Sequence, residues 1–106
     1  MAGEIIVLIT ASSEEEAAKI GTALVEAHFA ACVSIIPRIR SIFIWEGKTQ
    51  DACEVLLICK SLEPLLARLV ECVKALHSYT VPEIIALPLA GGSADYLSWL
   101  HDAVKI

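Results

Sequence analysis

Hydrophobic and polar positions change period several times along the chain. Glu4 to Thr10 is an apolar, β-branched run that Ala11-Ser12-Ser13 ends with turn and cap residues, which predicts a first strand. Ser13 and Glu16 make a capping box, Glu14 and Glu15 complement the positive end of a helix dipole, and Ala17, Ile20, Gly21, Leu24 and His28 share one face. A helix from about residue 14 to 28 follows. Ala31 to Pro37 is strand-like again and Ile39 to Trp45 resumes it, so Pro37 must sit at an edge, a bend or a bulge.

Glu46 to Asp51 is polar and contains Gly47, and Glu54 to Lys60 beyond it is a third strand, so the two strands are expected to form a long hairpin around that loop. Ser61 is expected to cap a second helix, with Pro64 tolerated in its first turn and Leu62, Leu65, Leu66, Leu69, Val73 and Leu76 at helical spacing. His77 to Pro82 breaks that helix. Ile84 to Pro88 is a fourth strand, and Gly91-Gly92-Ser93 opens a short final helix with Tyr96, Trp99, Leu100 and Ala103 on one face. The order βαββαβ plus a terminal helix is the α+β, ferredoxin-like pattern, read as a single domain over residues 1–106.

An antiparallel sheet with helices on one face and water on the other should alternate apolar and polar residues. These strands do not. Ile5 to Ile9, Val55 to Cys59 and Ile84 to Leu87 are apolar at both parities, and two helices cannot cover both faces. Each large side chain left in water would forgo about 1.5–3 kcal/mol of burial, so a few of them rival the stability of a whole domain. The economical cover is the same surface on other copies, in a closed homo-oligomer.

Composition supports a packed domain: 57% of the 106 residues are hydrophobic and 20% charged, which excludes disorder. The apolar runs are too short for a membrane helix, and Met1 to Glu4 carries no basic leader, so a cytoplasmic location is expected. A net charge of −5, with only Arg38 and Arg40 clustered, opposes nucleic-acid binding. Cys32, Cys53, Cys59 and Cys72 lie in apolar stretches without a paired metal-binding spacing, and are expected to be reduced. Motifs for nucleophilic catalysis, zinc proteolysis or a phosphate loop are missing, so an enzyme is not expected.

The runs Ala31-Cys32-Val33-Ser34-Ile35-Ile36-Pro37, Ser41-Ile42-Phe43-Ile44-Trp45-Glu46-Gly47-Lys48, Glu54-Val55-Leu56-Leu57, His77-Ser78-Tyr79-Thr80-Val81-Pro82-Glu83-Ile84 and Asp95-Tyr96-Leu97-Ser98-Trp99 resemble the CutA divalent-cation-tolerance family. The resemblance spans nearly the whole chain. It implies a ferredoxin-like protomer with an extended hairpin, a homotrimer related in fold and assembly to PII signalling proteins, and a role in tolerance of copper and other divalent cations without catalysis. Arg38 departs from the family pattern, which generally has Gly after the proline; so do Phe43, where Tyr is common, and Ser78, where Pro usually follows the histidine. The copper ligands implied by the family, a Cys near the end of the first strand and two adjacent His, correspond here to Ile9, Leu76 and His77, so only His77 remains.

Copper at His77 would need further ligands, and soft Cu(I) favours thiolates, which makes Cys32 a candidate by chemistry alone. Against this, His77 at a helix end can bond carbonyls, and a free Cys among apolar neighbours usually packs. Trp45, Tyr79 and Glu83 combine large rings with a carboxylate, the composition of a small-ligand cleft. The second functional expectation is therefore a PII-like signalling or scaffold module that holds a small anion or a partner segment in a cleft at the subunit interface.

Overall fold

A computed structural model describes residues 3–106. Its elements are β1 (Glu4–Ala11), α1 (Glu14–Glu26), β2 (Cys32–Trp45), β3 (Lys48–Leu62), α2 (Leu66–Leu76), β4 (Ile84–Pro88) and α3 (Ala94–Ala103), with a 3-10 turn at Glu63–Leu65 leading into α2. The strands make one antiparallel sheet in the order β2-β3-β1-β4, the ferredoxin-like arrangement expected from the sequence.

Strand parity decides what is buried. Ile5, Val7, Ile9 and Ala11 of β1 and Val55, Leu57 and Cys59 of β3 point to one face, where they pack with Ala17, Ile20 and Leu24 of α1 and Leu69 and Val73 of α2. Gly21 lets α1 approach β2: a Cβ there would stand 3.1 Å from Val33 Cγ1. On the other face Ile6, Leu8, Leu56 and Ile58 are only half-buried, and Ile36, Ile85 and Leu87 are 42%, 52% and 52% exposed. Helix α3 covers one end only. Its Leu100, with Val104 just beyond, closes a small cluster with Leu62 and Leu65, and His101 Nε2 donates to Glu4 Oε2 at 2.5 Å. That hydrogen bond holds the Glu4 carboxyl below its usual value.

Three local expectations change. Helix α1 stops at Glu26, because His28 adopts φ 61° and turns the chain out of the helix. Ser61 does not cap α2. It is buried in β3, where its Oγ donates to Phe29 O at 2.5 Å, and α2 starts through Pro64 with no side-chain cap. The expected loop from Glu46 to Asp51 shrinks to a two-residue turn, Glu46 (φ 51°) and Gly47 (φ 77°), and Lys48 to Cys53 pair as strand with Trp45 to Arg40. Positive φ at both central residues is the type I′ signature whose twist suits a hairpin. Polar residues are tolerated because this arm is largely exposed on both faces, with Arg40 held by Asp51 through bonds of 2.9 and 2.6 Å.

Pro37 sits at a bulge in an edge strand, as its missing N–H requires. Between the pairs Ile36–Leu56 and Ile39–Glu54, β2 uses one residue more than β3. That extra residue reverses parity. Before it Cys32, Ser34 and Ile36 share the helix-free face; after it Ile39, Ser41, Phe43 and Trp45 do. The reversal is achieved at Arg38, which holds φ 62°, a left-handed conformation that costs a side chain about 1–2 kcal/mol.

Arg38→Gly is expected to raise stability by about 0.5–1 kcal/mol, the steric relief being offset in part by unfolded-chain entropy, whereas Arg38→Val should lower it by 1 kcal/mol or more, about the cost of a branched side chain in that region. Urea unfolding of the two variants beside the parent checks the order.

Candidate functional site

Because the bulge turns Phe43 and Trp45 onto the helix-free face, the hairpin arm stands over the end of β1 and the segment that follows α2. Between them lies a cavity of about 680 Å³. Phe43, Trp45 and Tyr79 supply its rings. Glu54 and Glu83 supply carboxylates, and Thr10, Ser41 and Gln50 supply uncharged polar groups. Trp45, Tyr79 and Glu83, which the sequence grouped as a cleft, thus line one cavity.

The rim is pinned by three hydrogen-bonded groups. Tyr79 Oη donates to Glu54 Oε2 at 2.7 Å. Burial, that bond and the negative charge of Glu54 and Glu16 all push the Tyr79 phenol well above its ordinary value, so it remains a neutral donor. Glu54 is 5% exposed. Its Oε1 has no hydrogen bond among the described residues, yet no buried side-chain polar atom there is left without a partner, so Oε1 opens onto the cavity.

Ser13 caps α1 as expected, its Oγ accepting from Glu16 N at 3.1 Å. The Glu16 carboxylate reaches one residue further back than a standard box, accepting from Ser12 N and Oγ at 2.9 Å each, and also takes Ser78 N at 2.8 Å. Partial burial opposes ionisation, but these bonds prevail and hold Glu16 at about 2. One carboxylate therefore joins the start of α1 to the cavity rim.

His77 is engaged on both ring nitrogens. Nε2 lies 2.7 Å from Thr10 O, which can only accept, and Nδ1 lies 3.0 Å from Tyr79 N, which can only donate. The Nε2–H tautomer satisfies both, and a metal would have to displace one of them. Nor does the fold bring Cys32 to His77. Cys32 pairs with Lys60, and Lys60 with Ile6, four residues along β1 from Thr10, a separation of about 13 Å by strand rise. Lys60 Nζ donates to Cys32 Sγ at 3.8 Å, placing an ammonium where a metal cation would have to approach. Within the protomer, then, His77 and Cys32 stand apart, each with hydrogen-bond partners of its own. Burial pushes the Cys59 thiol up to about 12 and also raises Cys72, which makes both poor nucleophiles.

The small anion or partner segment expected in the cleft was placed at a subunit interface, of which the protomer supplies one wall. Both charged residues of the cavity wall are acidic, and Arg40 is committed to Asp51. Glu54 and Glu16 were missed as site residues. The signal for Glu54 was a lone charge at the head of Val55 to Cys59, which must find a partner once the strand is buried. The reach of Glu16 to Ser78 spans 62 residues and left no local signal.

The family profile of the CutA1 divalent ion tolerance protein matches residues 5–103. The divalent-cation tolerance protein CutA of Thermus thermophilus is 50% identical over 99 residues, covering 93% of this chain and 96% of that protein. The chloroplastic protein CutA of Arabidopsis thaliana is 46% identical over 101 residues, 95% of this chain but 56% of that longer protein. Among solved structures, Cut A1 of Thermus thermophilus superposes with a TM-score of 0.94 at 49% identity, over 96% of this chain and 99% of its own. CutA1 of Oryza sativa gives 0.94 at 44% identity, over 97% and 94%.

Two predictions follow from the pinned rim. His77→Ala should cost about 1–2 kcal/mol in denaturant unfolding, for a lost bond and a stranded carbonyl, while calorimetric titration with Cu(II) gives the same isotherm before and after the substitution. Glu16, depressed from 4.5 to about 2, contributes stability that is fully present above pH 4.5 and disappears as pH falls toward 2. Glu16→Gln should therefore flatten the acid limb of the stability profile and lower stability at neutral pH by about 1 kcal/mol, measured by urea unfolding at a series of pH values.

Proposed function

The chain belongs to the CutA1 divalent ion tolerance family, and from that premise we propose that it serves tolerance of divalent cations, copper foremost, as a non-enzymatic homotrimer that responds to metal stress. The observation that carries the reading is the helix-free sheet face, on which Ile36, Ile85 and Leu87 remain exposed in the protomer although they continue the pattern of the buried core. Such a contiguous apolar surface calls for self-association. Its closure at three copies is what likeness to the CutA family implies.

The response reading is favoured over storage of the metal by the state of the two expected ligands. His77 is tied into the rim and Cys32 lies beside Lys60. The cavity lined by Trp45, Tyr79 and Glu83 is the ligand cleft of that trimer in this reading, held in place by the arm that the bulge positions.

Sedimentation equilibrium is expected to give a species of three times the chain mass at micromolar concentration. Leu87→Glu, placing a charge on the open face, should shift it to the single chain while the circular-dichroism spectrum is kept; a single chain in the parent protein would remove the assembly.

A further inference from the structure

The cavity wall has a definite electrostatic sign, and the inference drawn from it rests on the reading of this cavity as a ligand cleft. Glu54 is nine-tenths buried, yet Oε1 is left open to the cavity, while Glu83 adds a second carboxylate at the mouth. The wall bears no lysine or arginine; Arg40 is held by Asp51, and Lys48 stands opposite Trp45 at the turn, outside the wall. The same wall carries the rings of Phe43, Trp45 and Tyr79, whose faces attract cations. Gln50 adds an acceptor.

We propose that the cavity binds a small organic cation carrying both N–H donors and an apolar body, an arylalkyl primary ammonium or its like, with the ammonium on Glu54 Oε1 and the body among Phe43, Trp45 and Tyr79. The size favours this class over a bare metal ion. A cavity of about 680 Å³ suits a small organic ligand, whereas a hard divalent cation requires six or more convergent oxygens close to one point. The N–H donors follow from Glu54, because a charge-assisted bond to its open carboxylate oxygen rewards a primary ammonium over a quaternary one.

The test is titration calorimetry of the full chain with 2-phenylethylammonium, 3-phenylpropionate, tetramethylammonium, MgCl2 and CuCl2 in turn. Saturable binding is expected for 2-phenylethylammonium alone, weakened about tenfold or more by Glu54→Gln and about two- to threefold by Glu83→Gln, whose exposed position is safe for folding. Trp45→Leu should weaken it about threefold through the lost ring. Binding of the phenylpropionate, binding of an inorganic cation that Glu54→Gln abolishes, or no binding of the arylammonium overturns the proposal. Sedimentation of the same samples separates the two readings: a trimer without arylammonium binding sinks this inference alone, and arylammonium binding to a single chain upholds it while removing the assembly.

Discussion

The structure depends on a sheet that is apolar on both sides. Helices α1 and α2 satisfy one side through Ile5, Val7, Ile9, Leu57 and Cys59. The same strands carry Ile6, Leu8, Leu56 and Ile58 at the opposite parity, and β4 adds Ile85 and Leu87. A period of two makes this unavoidable: strands that are apolar at every position present their second set of side chains wherever the first set is buried. At about 25 cal/mol per Å² of apolar surface, the open face holds a driving force for association without any charged contact across it.

The same sheet face becomes a site only because of the bulge at Pro37 and Arg38. Without the extra residue, the arm would present Ile42 and Ile44 beside Glu54 instead of Phe43 and Trp45. Backbone strain at Arg38 is thus tied to the chemistry several residues away: one left-handed residue selects which side chains face the cavity. The arm beyond it needs no core of its own. The type I′ turn at Glu46 and Gly47, the ladder from Arg40 to Trp45 and the bidentate Arg40–Asp51 pair tie its two strands together.

Much of this architecture was legible in the sequence, because the elements that bury apolar faces advertise their period. The four strands, the two packed helices and the excess of apolar strand surface could be read directly, and Pro37 announced an edge, a bend or a bulge, of which the structure has a bulge in an edge strand. Lys48 to Cys53 was not legible as strand, since its polar pattern reports exposure, which a loop and a projecting hairpin arm share. Ser61 looked like a cap because its fate, a bond to Phe29 O, depends on a residue 32 positions away. In the cleft, Trp45, Tyr79 and Glu83 were legible by composition. The sign of the cavity was not, because it depends on Glu54 being folded into the wall and on Arg40 being turned to Asp51.

The histidine at the rim shows why family likeness and site geometry have to be weighed separately. A lone imidazole can serve a metal only if one nitrogen is free, and here the backbone geometry assigns both: Thr10 O demands a donor and Tyr79 N demands an acceptor. Once His77, Glu16 and Tyr79 are all fixed to the backbone or to Glu54, the polar groups of the rim act on one another, and the open carboxylate lone pairs of the wall are those of Glu54 Oε1 and the exposed Glu83. Whatever enters the cavity therefore meets acceptors and rings rather than a set of soft ligands. A positively charged occupant with donors of its own is the complement of that wall.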